Sequence, residues 1–217
     1  KYFDILGIRT FPSLKNKEDD YSELYIKQFI RYSGIPVLSL ESATMHSLQS
    51  LTDIITITEN FKEKRRPKIV LTWAPHVKAL PQCVANSFSQ WVTAWGHADF
   101  VITHPEDYEL HTSFTKGAAI THDQDYALKD ADFVYAKNWS TYHDYGRIYC
   151  NDPEWKLTTE KLQLTNHAKI MHCLPVRRNV ELSDEVLDGF SSIVTQQASN
   201  RVWAAQAVLS EMLHPKK

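Results

Sequence analysis

The sequence predicts an α/β protein in which parallel strands are covered by helices on both faces. Short apolar runs, typical of buried strands, alternate along the chain with segments whose apolar residues have helical spacing. Polar and charged side chains also recur where an apolar run ends, which is where open α/β sheets bind their ligands. With 217 residues, 43% of them hydrophobic, the chain is long enough for one large or two modest domains.

The first part of the chain has the pattern of two strands and two helices. Strands are predicted at residues 3–8 and 36–40, and a polar loop is predicted at 10–20. Helices are predicted at 22–32, where a glycine follows, and from about residue 47 onward.

A charged segment broken by proline, residues 62–68, is the predicted boundary to a second βα series. The strands predicted after it are 68–73, 99–103, 118–121, 133–137, 169–172 and 192–195. The helices predicted after it are 80–94, 125–129, 183–187 and 202–213.

Composition excludes several classes of site and protein. The formal net charge of −2 gives no overall attraction to nucleic acid, so a bound anion must be held by local cations. No apolar run approaches the roughly 20 residues of a membrane span, and the first residues have the pattern of a strand rather than of a signal peptide. We therefore expect a cytoplasmic protein that binds neither membrane nor nucleic acid.

Glycine and cysteine usage narrows the ligand chemistry. The six glycines form neither a GxGxxG nor a GxxxxGK[ST] motif, so any phosphate must be held by side chains or by a helix N-terminus. Cys83, Cys150 and Cys173 lie far apart without a CxxC pair, which argues against a disulfide framework and a structural zinc site.

The segment from residue 171 to 179 combines an imidazole, a thiol and two guanidinium groups directly after a predicted strand. An ordinary structural explanation, such as a core filler or a solvated loop, exists for each of these residues taken alone: His172, Cys173, Arg177 and Arg178. Their clustering at a strand end favours a functional site, and the two arginines suggest an anionic ligand.

A second cluster begins at Glu41. If a helix starts near residue 47, His46 and Gln49 lie three residues apart on one face at its N-terminus, where free N–H groups favour an anionic or carbonyl ligand. A helix cap with an incidental histidine is the structural alternative. Arg9, His76 and Lys137 likewise follow apolar runs, so we expect them to face the same cleft.

Three of these motifs resemble the ornithine transcarbamylase family: HCLPVRRN at residues 172–179, the H-x-x-Q pair of His46 and Gln49, and Asn200-Arg201. Glu41-Ser-Ala-Thr, Trp73-Ala-Pro-His and Tyr135-Ala-Lys-Asn-Trp resemble the branch that acts on N-acylated ornithine. The resemblance implies two Rossmann-like parallel-sheet domains, the first only partly present. It assigns residues 1–60 to the carbamoyl-phosphate domain and its linking helix, 61–198 to the N-acylornithine domain, and 199–217 to a helix packed back on the first domain.

The resemblance also implies a reaction, in which the carbamoyl group of carbamoyl phosphate moves to the δ-amine of N-succinylornithine in arginine biosynthesis. No cofactor or metal is expected, and the family suggests a homotrimer with sites near subunit interfaces. The implied catalytic residues are Arg9, His46, Cys173 and Arg201. Carbamoyl phosphate would also meet Gln49 and Leu174. The implied substrate-binding residues are Glu41, His76, Lys137, Arg177 and Arg178.

The sequence departs from the family pattern in three places. No Ser-Met-Gly segment for a free α-amino group occurs, which suggests a substrate acylated on that nitrogen. Ser47 replaces the usual proline after the histidine, so we expect a slightly looser helix start. The S-x-R-T phosphate segment of the family does not occur, so we expect little turnover from these 217 residues alone.

Three alternatives remain at this stage. An acetylornithine enzyme would differ only in its acyl pocket, and a catalytically silent subunit would keep the fold for assembly. A zinc hydrolase built on Cys83, His97, His104 and His111 is the most remote, because the seven-residue spacing of the histidines crosses predicted strand and loop rather than one helix.

Overall fold

The computed structural model describes residues 2–214. Its strands form two separate parallel sheets, one after the other in sequence. Strands β1 (Leu6–Arg9) and β2 (Val37–Glu41) pair in a two-stranded sheet. The larger sheet has the order β5-β4-β3-β6-β7 and contains β3 (Lys68–Trp73), β4 (Asp99–Thr103), β5 (Ala119–Thr121), β6 (Phe133–Lys137) and β7 (Lys169–Met171). The predicted α/β class with parallel strands is confirmed.

Nine α-helices occur between residues 2 and 214, together with one 3-10 turn at Pro153–Trp155. The helices are α1 (Lys17–Tyr21), α2 (Leu24–Tyr32), α3 (Ser47–Asn60), α4 (Cys83–Trp95), α5 (Thr112–Thr115), α6 (Gln124–Leu128), α7 (Thr159–Leu162), α8 (Asp184–Leu187) and α9 (Val194–Leu213).

Helices cover both faces of the larger sheet, and the period-two alternation of β3 explains how. Ile69, Leu71 and Trp73 are fully buried in one cluster with side chains of α3 and α4. Val70 points the other way, into a second cluster with residues of α6 and α8. The central strand is therefore apolar on both faces, as a parallel sheet requires.

The C-terminal helix differs most from its prediction. The predicted strand 192–195 is wrong: Ser192 forms one isolated bridge with Ile170, and α9 then begins at Val194 instead of residue 202. The first two turns of α9 carry no apolar stripe, which is the pattern on which the sequence prediction relied. Gln197 and Asn200 are instead buried polar residues that hydrogen-bond to α3, so polarity here indicates a polar helix interface rather than a loop.

The predicted loop at residues 10–20 was also partly wrong, because α1 occupies its end. Asn16 caps this helix by accepting a hydrogen bond from the backbone N–H of Asp19 at 3.2 Å. Buried Asp20 accepts hydrogen bonds from Ser13, Leu14 and Tyr145.

The division of the chain into domains at residues 60 and 198 stays a prediction. The first boundary coincides with the end of α3, whereas the second falls inside α9. Residue 1 and residues 215–217, which belong to the outer predicted segments, lie outside the described residues. From residue 2 to residue 214, no helix is both long and apolar enough to cross a membrane.

Candidate active site

A cleft of about 300 Å³ lies where the carboxyl ends of β1, β2, β6 and β7 approach the middle of α9. Seven of the residues predicted from the sequence line it: Arg9, Glu41, His46, Lys137, Cys173, Leu174 and Arg201. These side chains come from six separate segments, so the fold, rather than local sequence, brings them together. The remaining wall is formed by Phe11, Lys78, Leu80, Pro81, Cys83, Val84 and Pro175.

Glu41 is the buried anion of the cleft and organises one wall. Only 5% of the residue is exposed, and its carboxylate forms a salt bridge with the half-exposed guanidinium of Arg9. The Sγ of Cys83 donates to the other carboxylate oxygen at 3.2 Å. The salt bridge compensates the buried charge and fixes Arg9 at the mouth of the cleft.

His46 occupies the N-cap position of α3 but makes no side-chain capping hydrogen bond. Its Nδ1 is buried without a hydrogen-bond partner among residues 2–214, and its Nε2 lies 3.7 Å from the Glu41 carboxylate. Burial lowers the pKa of His46 to about 4, and the Glu41 carboxylate opposes this only in part. The imidazole is therefore neutral at neutral pH and can donate one hydrogen bond to a ligand.

Lys137 lies at the end of β6 and is 9% exposed. Its Nζ donates to the side-chain oxygen of Asn138 at 2.7 Å, and no carboxylate of the described residues forms a salt bridge with it. A buried ammonium group held only by an amide is costly. The position is therefore suited to a ligand that brings its own carboxylate.

The loop after β7 is shaped by His172, which points away from the cleft. Its Nε2 lies 2.6 Å from the buried carboxylate of Glu181, and its Nδ1 accepts the backbone N–H of Leu174 at 2.9 Å. Leu174 has a φ of 52°, a left-handed conformation that costs a side-chain-bearing residue about 1–2 kcal/mol. The imidazole and Glu181 thus hold Leu174 and Cys173 against the cleft.

Cys173 is placed as a neutral thiol. Burial raises its pKa, and the nearby ammonium group of Lys137 offsets this only in part. A nucleophilic cysteine needs the opposite shift, so the environment suits a residue that shapes the pocket.

Arg201 reaches the cleft from α9. No carboxylate of the described residues forms a salt bridge with it, whereas Arg9 is already paired with Glu41. Arg201 and Lys137 are therefore the two cleft cations of the predicted set without a carboxylate partner, and the half-exposed guanidinium of Arg9 can still meet an anionic ligand beside Glu41.

Four predicted residues do not line the cleft. Gln49 is buried behind His46 and donates to Asp53 at 2.8 Å. His76 is fully buried, with Nδ1 2.6 Å from the carbonyl oxygen of Lys78, and so supports the loop that carries Lys78. Arg178 forms exposed salt bridges with two carboxylates of the 184–188 segment.

Arg177, the fourth, lies beside the cleft without lining it. Its guanidinium is partly exposed and approaches Glu181 at 3.9 Å.

Two residues of the site were missed by the sequence analysis. Lys78 lines the cleft but follows an irregular proline-containing loop, where no periodicity marks its direction. Glu181 lies in a stretch with the composition of an exposed helix start, so its burial could not be inferred. Neither residue carries a local signal.

The residues from 2 to 214 contain no group of three or more His, Cys, Asp or Glu side chains arranged to hold a metal ion. His104 hydrogen-bonds to the carbonyl oxygen of Pro105, and His111 interacts with Ser113. Two of the three histidines that suggested a zinc site therefore have local partners.

Comparison with known proteins identifies the family to which the chain belongs. Residues 82–212 match the family model described as the aspartate/ornithine carbamoyltransferase, Asp/Orn binding domain. The chain belongs to the aspartate/ornithine carbamoyltransferase family. The matched region contains Lys137, Cys173 and Arg201, which supply three of the cleft walls of this carbamoyltransferase.

Individual relatives agree with the family match. The chain is 49% identical over 214 residues to an N-succinylornithine carbamoyltransferase of Bacteroides fragilis, covering 98% of this chain and 67% of that protein. A crystal structure of N-acetyl-L-ornithine transcarbamylase superposes with a TM-score of 0.91 at 31% identity, covering 97% of this chain and 70% of that one. A point variant of N-acetyl-L-ornithine transcarbamylase, complexed with carbamyl phosphate and N-succinyl-L-norvaline, superposes with a TM-score of 0.86 at 31% identity. The match covers 97% of this chain and 69% of that one.

The buried neutral state of His46 is directly measurable. We expect its imidazole to titrate near pH 4 in a ¹⁵N NMR pH series, with the resonance assigned through the variant His46→Gln. Because Glu41 raises this pKa, Glu41→Gln should lower it further. Between pH 6.5 and 4 the unfolded histidine binds more protons than the folded one, so stability should fall as pH falls through this window. A His46 titration at or above pH 6.5 would contradict the assignment.

Proposed function

We propose that this carbamoyltransferase moves the carbamoyl group of carbamoyl phosphate to the δ-amine of N2-succinyl-L-ornithine, forming N-succinylcitrulline and phosphate in arginine biosynthesis. The observation that carries the proposal is the convergence of Arg9, His46, Lys137, Cys173 and Arg201 on one cleft in a chain of this family. The succinyl group is favoured because identity to the succinylornithine enzyme is 49%, against 31% to the acetylornithine enzyme.

The cleft chemistry suits a small anionic donor. Arg9 and Arg201 bring guanidinium groups to a chain of negative net charge, and guanidinium forks match phosphate oxygens. We assign the phosphate end of carbamoyl phosphate to Arg9 and its carbonyl end to His46 and Arg201. Gln49 does not line the cleft, but its Oε1 is buried without a partner among residues 2–214, so it stays the proposed acceptor for a carbamoyl amide N–H that reaches past His46.

The reaction needs a neutral amine and a stabilised oxyanion. In the proposed step the δ-nitrogen forms a bond to the carbamoyl carbon, negative charge develops on the carbonyl oxygen, and the C–O bond to phosphate then breaks with the electron pair leaving on phosphate. The amine loses one proton overall, and the departing phosphate takes it up to leave as hydrogen phosphate. The neutral imidazole of His46 and the guanidinium group of Arg201 would both donate hydrogen bonds to the developing oxyanion. One such donor typically contributes about 10²- to 10³-fold in rate.

The substrate's carboxylates are assigned to the second set of cations. Lys137 is nearly buried and lacks a carboxylate partner within the described chain, which favours a substrate carboxylate beside it. Arg177 at the edge of the cleft is the proposed second partner, while Glu41 and His76 support this wall. Arg178 stays the weakest member of the proposed set, because its guanidinium is engaged with Asp184 and Asp188.

The proposal includes a homotrimeric enzyme of the cytoplasm, with sites near subunit interfaces. Exposed apolar side chains on α2, among them Tyr25, Phe29 and Ile30, support an interface on this face. The three free cysteines suit a reducing compartment.

Substrate choice is tested by initial rates on the full-length protein with succinylornithine and acetylornithine as acceptors. We expect kcat/KM to be at least tenfold higher for succinylornithine. Lys137→Met should lower kcat/KM by roughly 10- to 150-fold, the loss of one charge-assisted contact. The matched control is Lys116→Met, which removes an exposed ammonium group that does not line the cleft and should leave the rates unchanged. Preference for acetylornithine would favour the acetyl alternative, and no turnover with either acceptor would favour a silent subunit.

The role of Cys173 is tested by Cys173→Ser in the same protein. Because the thiol is held neutral, we expect the variant to keep measurable turnover, and we expect no carbamoyl-thioester in mass spectra of the wild-type protein during turnover. Isolation of that thioester would overturn the positioning role.

A further inference from the structure

A buried chain of hydrogen bonds behind the cleft joins three of the segments that form it. Gln49 of α3 and Gln197 of α9 both donate their side-chain N–H to the same oxygen of Asp53, at 2.8 and 2.7 Å. The backbone N–H of His172, at the end of β7, donates to the Oε1 of Gln197 at 2.9 Å. All four residues are at most 1% exposed.

Each segment in this chain carries a cleft residue close by. His46 lies one turn before Gln49, Arg201 lies one turn after Gln197, and Cys173 directly follows His172. A rotation of either glutamine would therefore move a segment that holds part of the site.

The carboxylate also sets the direction of both amides. A glutamine side chain can present either oxygen or nitrogen to a neighbour, and only the nitrogen can bond to the Oδ1 of Asp53, which accepts both hydrogen bonds and leaves Oδ2 to carry the proton when the carboxyl group is protonated. Asp53 thereby leaves the Oε1 of Gln197 to accept the His172 N–H, and it leaves the Oε1 of Gln49 without a partner among residues 2–214. Asparagine at position 53 could keep an oxygen in the same place, whereas an apolar side chain could not.

We propose that Asp53 is a positioning residue, which acts through Gln49 and Gln197 to hold His46, Arg201 and the Cys173 loop in one arrangement. The inference rests on the proposed function, since it concerns the same cleft. The second oxygen of Asp53 and the hydroxyl of Tyr135 are each buried without a hydrogen-bond partner in the described chain.

The decisive comparison is Asp53→Leu against Asp53→Asn in the full-length protein. The two side chains have similar shapes, but only asparagine keeps an acceptor for the glutamines. We expect Asp53→Leu to lower kcat by roughly 10- to 100-fold, as losses of such supporting partners do, and Asp53→Asn to retain activity within about fivefold. Comparable activity of the two variants would overturn the proposal, because packing alone would then explain the position.

Thr56→Val is the matched control for the loss of a buried hydrogen bond. Thr56 is fully buried on α3, one turn further from His46 than Asp53 is, and it accepts a hydrogen bond from Asn200 of α9 at 3.0 Å without a link to β7. We expect the control to lower the melting temperature while leaving kcat within about twofold of wild type. A kcat loss equal to that of Asp53→Leu would show that any weakening of the α3–α9 contact has this effect, and would overturn the specific role of Asp53.

A double-mutant cycle and a structural readout separate this inference from the proposed reaction. If Asp53 and Gln197 act as one unit, Asp53→Leu combined with Gln197→Met should be no slower than the slower single variant, whereas independent roles would multiply their effects. Crystal structures of wild type and Asp53→Leu should differ in the orientation of the Gln197 amide and in the backbone at residues 172–174. Unchanged positions there would overturn the proposal even if the enzyme acted on another acceptor.

Discussion

The cleft depends on the contact between α3 and α9, in which buried polar groups rather than apolar ones determine the register. Asp53 accepts hydrogen bonds from both helices and is linked through Gln197 to the end of β7, whereas the bond from Asn200 to Thr56 one turn away adds to the helix register without that link. The contact joins residues separated by 144 positions in sequence. An apolar interface of the same size could slide by small steps, whereas a slide here would leave buried polar groups unpaired, at about 1–3 kcal/mol each.

This constraint has a cost in stability. Burial raises the pKa of Asp53 to about 7, although hydrogen bonds from Gln197 and Gln49 oppose the shift. The folded chain therefore keeps a proton on Asp53 at pH values where the unfolded chain has already lost it, and stability falls as pH rises from about 4 through 7. A buried carboxyl group that weakens the fold near neutral pH is easier to understand as a requirement of the site than as a device for stability.

The larger sheet and the strand ends could be predicted from sequence because their signals are local. Strands β3, β4 and β6 begin and end at the predicted residues. Arg9, Glu41 and Lys137 are the last residues of their strands, and Cys173 lies two residues after the end of β7, so all four occupy strand ends as expected. Arg178 and Gln49 show the limit of that reasoning, because position along the chain does not determine whether a side chain faces the cleft or a neighbouring partner. The first turns of α9 were missed because their polar residues are buried against another helix, a fact that only tertiary structure supplies. One feature of the sequence does indicate the hydrogen bonds around Asp53. Gln49 and Asp53 are four residues apart, which places them on one face of a helix.

In the proposed complex, neutral His46 and charged Arg201 meet at one carbonyl group, and Lys137 faces a carboxylate across the cleft. A crystal structure of the full-length protein with carbamoyl phosphate and an unreactive N-succinylated analogue that lacks the δ-amine measures this directly. The account predicts the carbonyl oxygen within hydrogen-bond distance of both His46 and Arg201, and an analogue carboxylate beside the Lys137 ammonium group. Ligands bound on another surface, or a carbonyl group bound without Arg201, would contradict it.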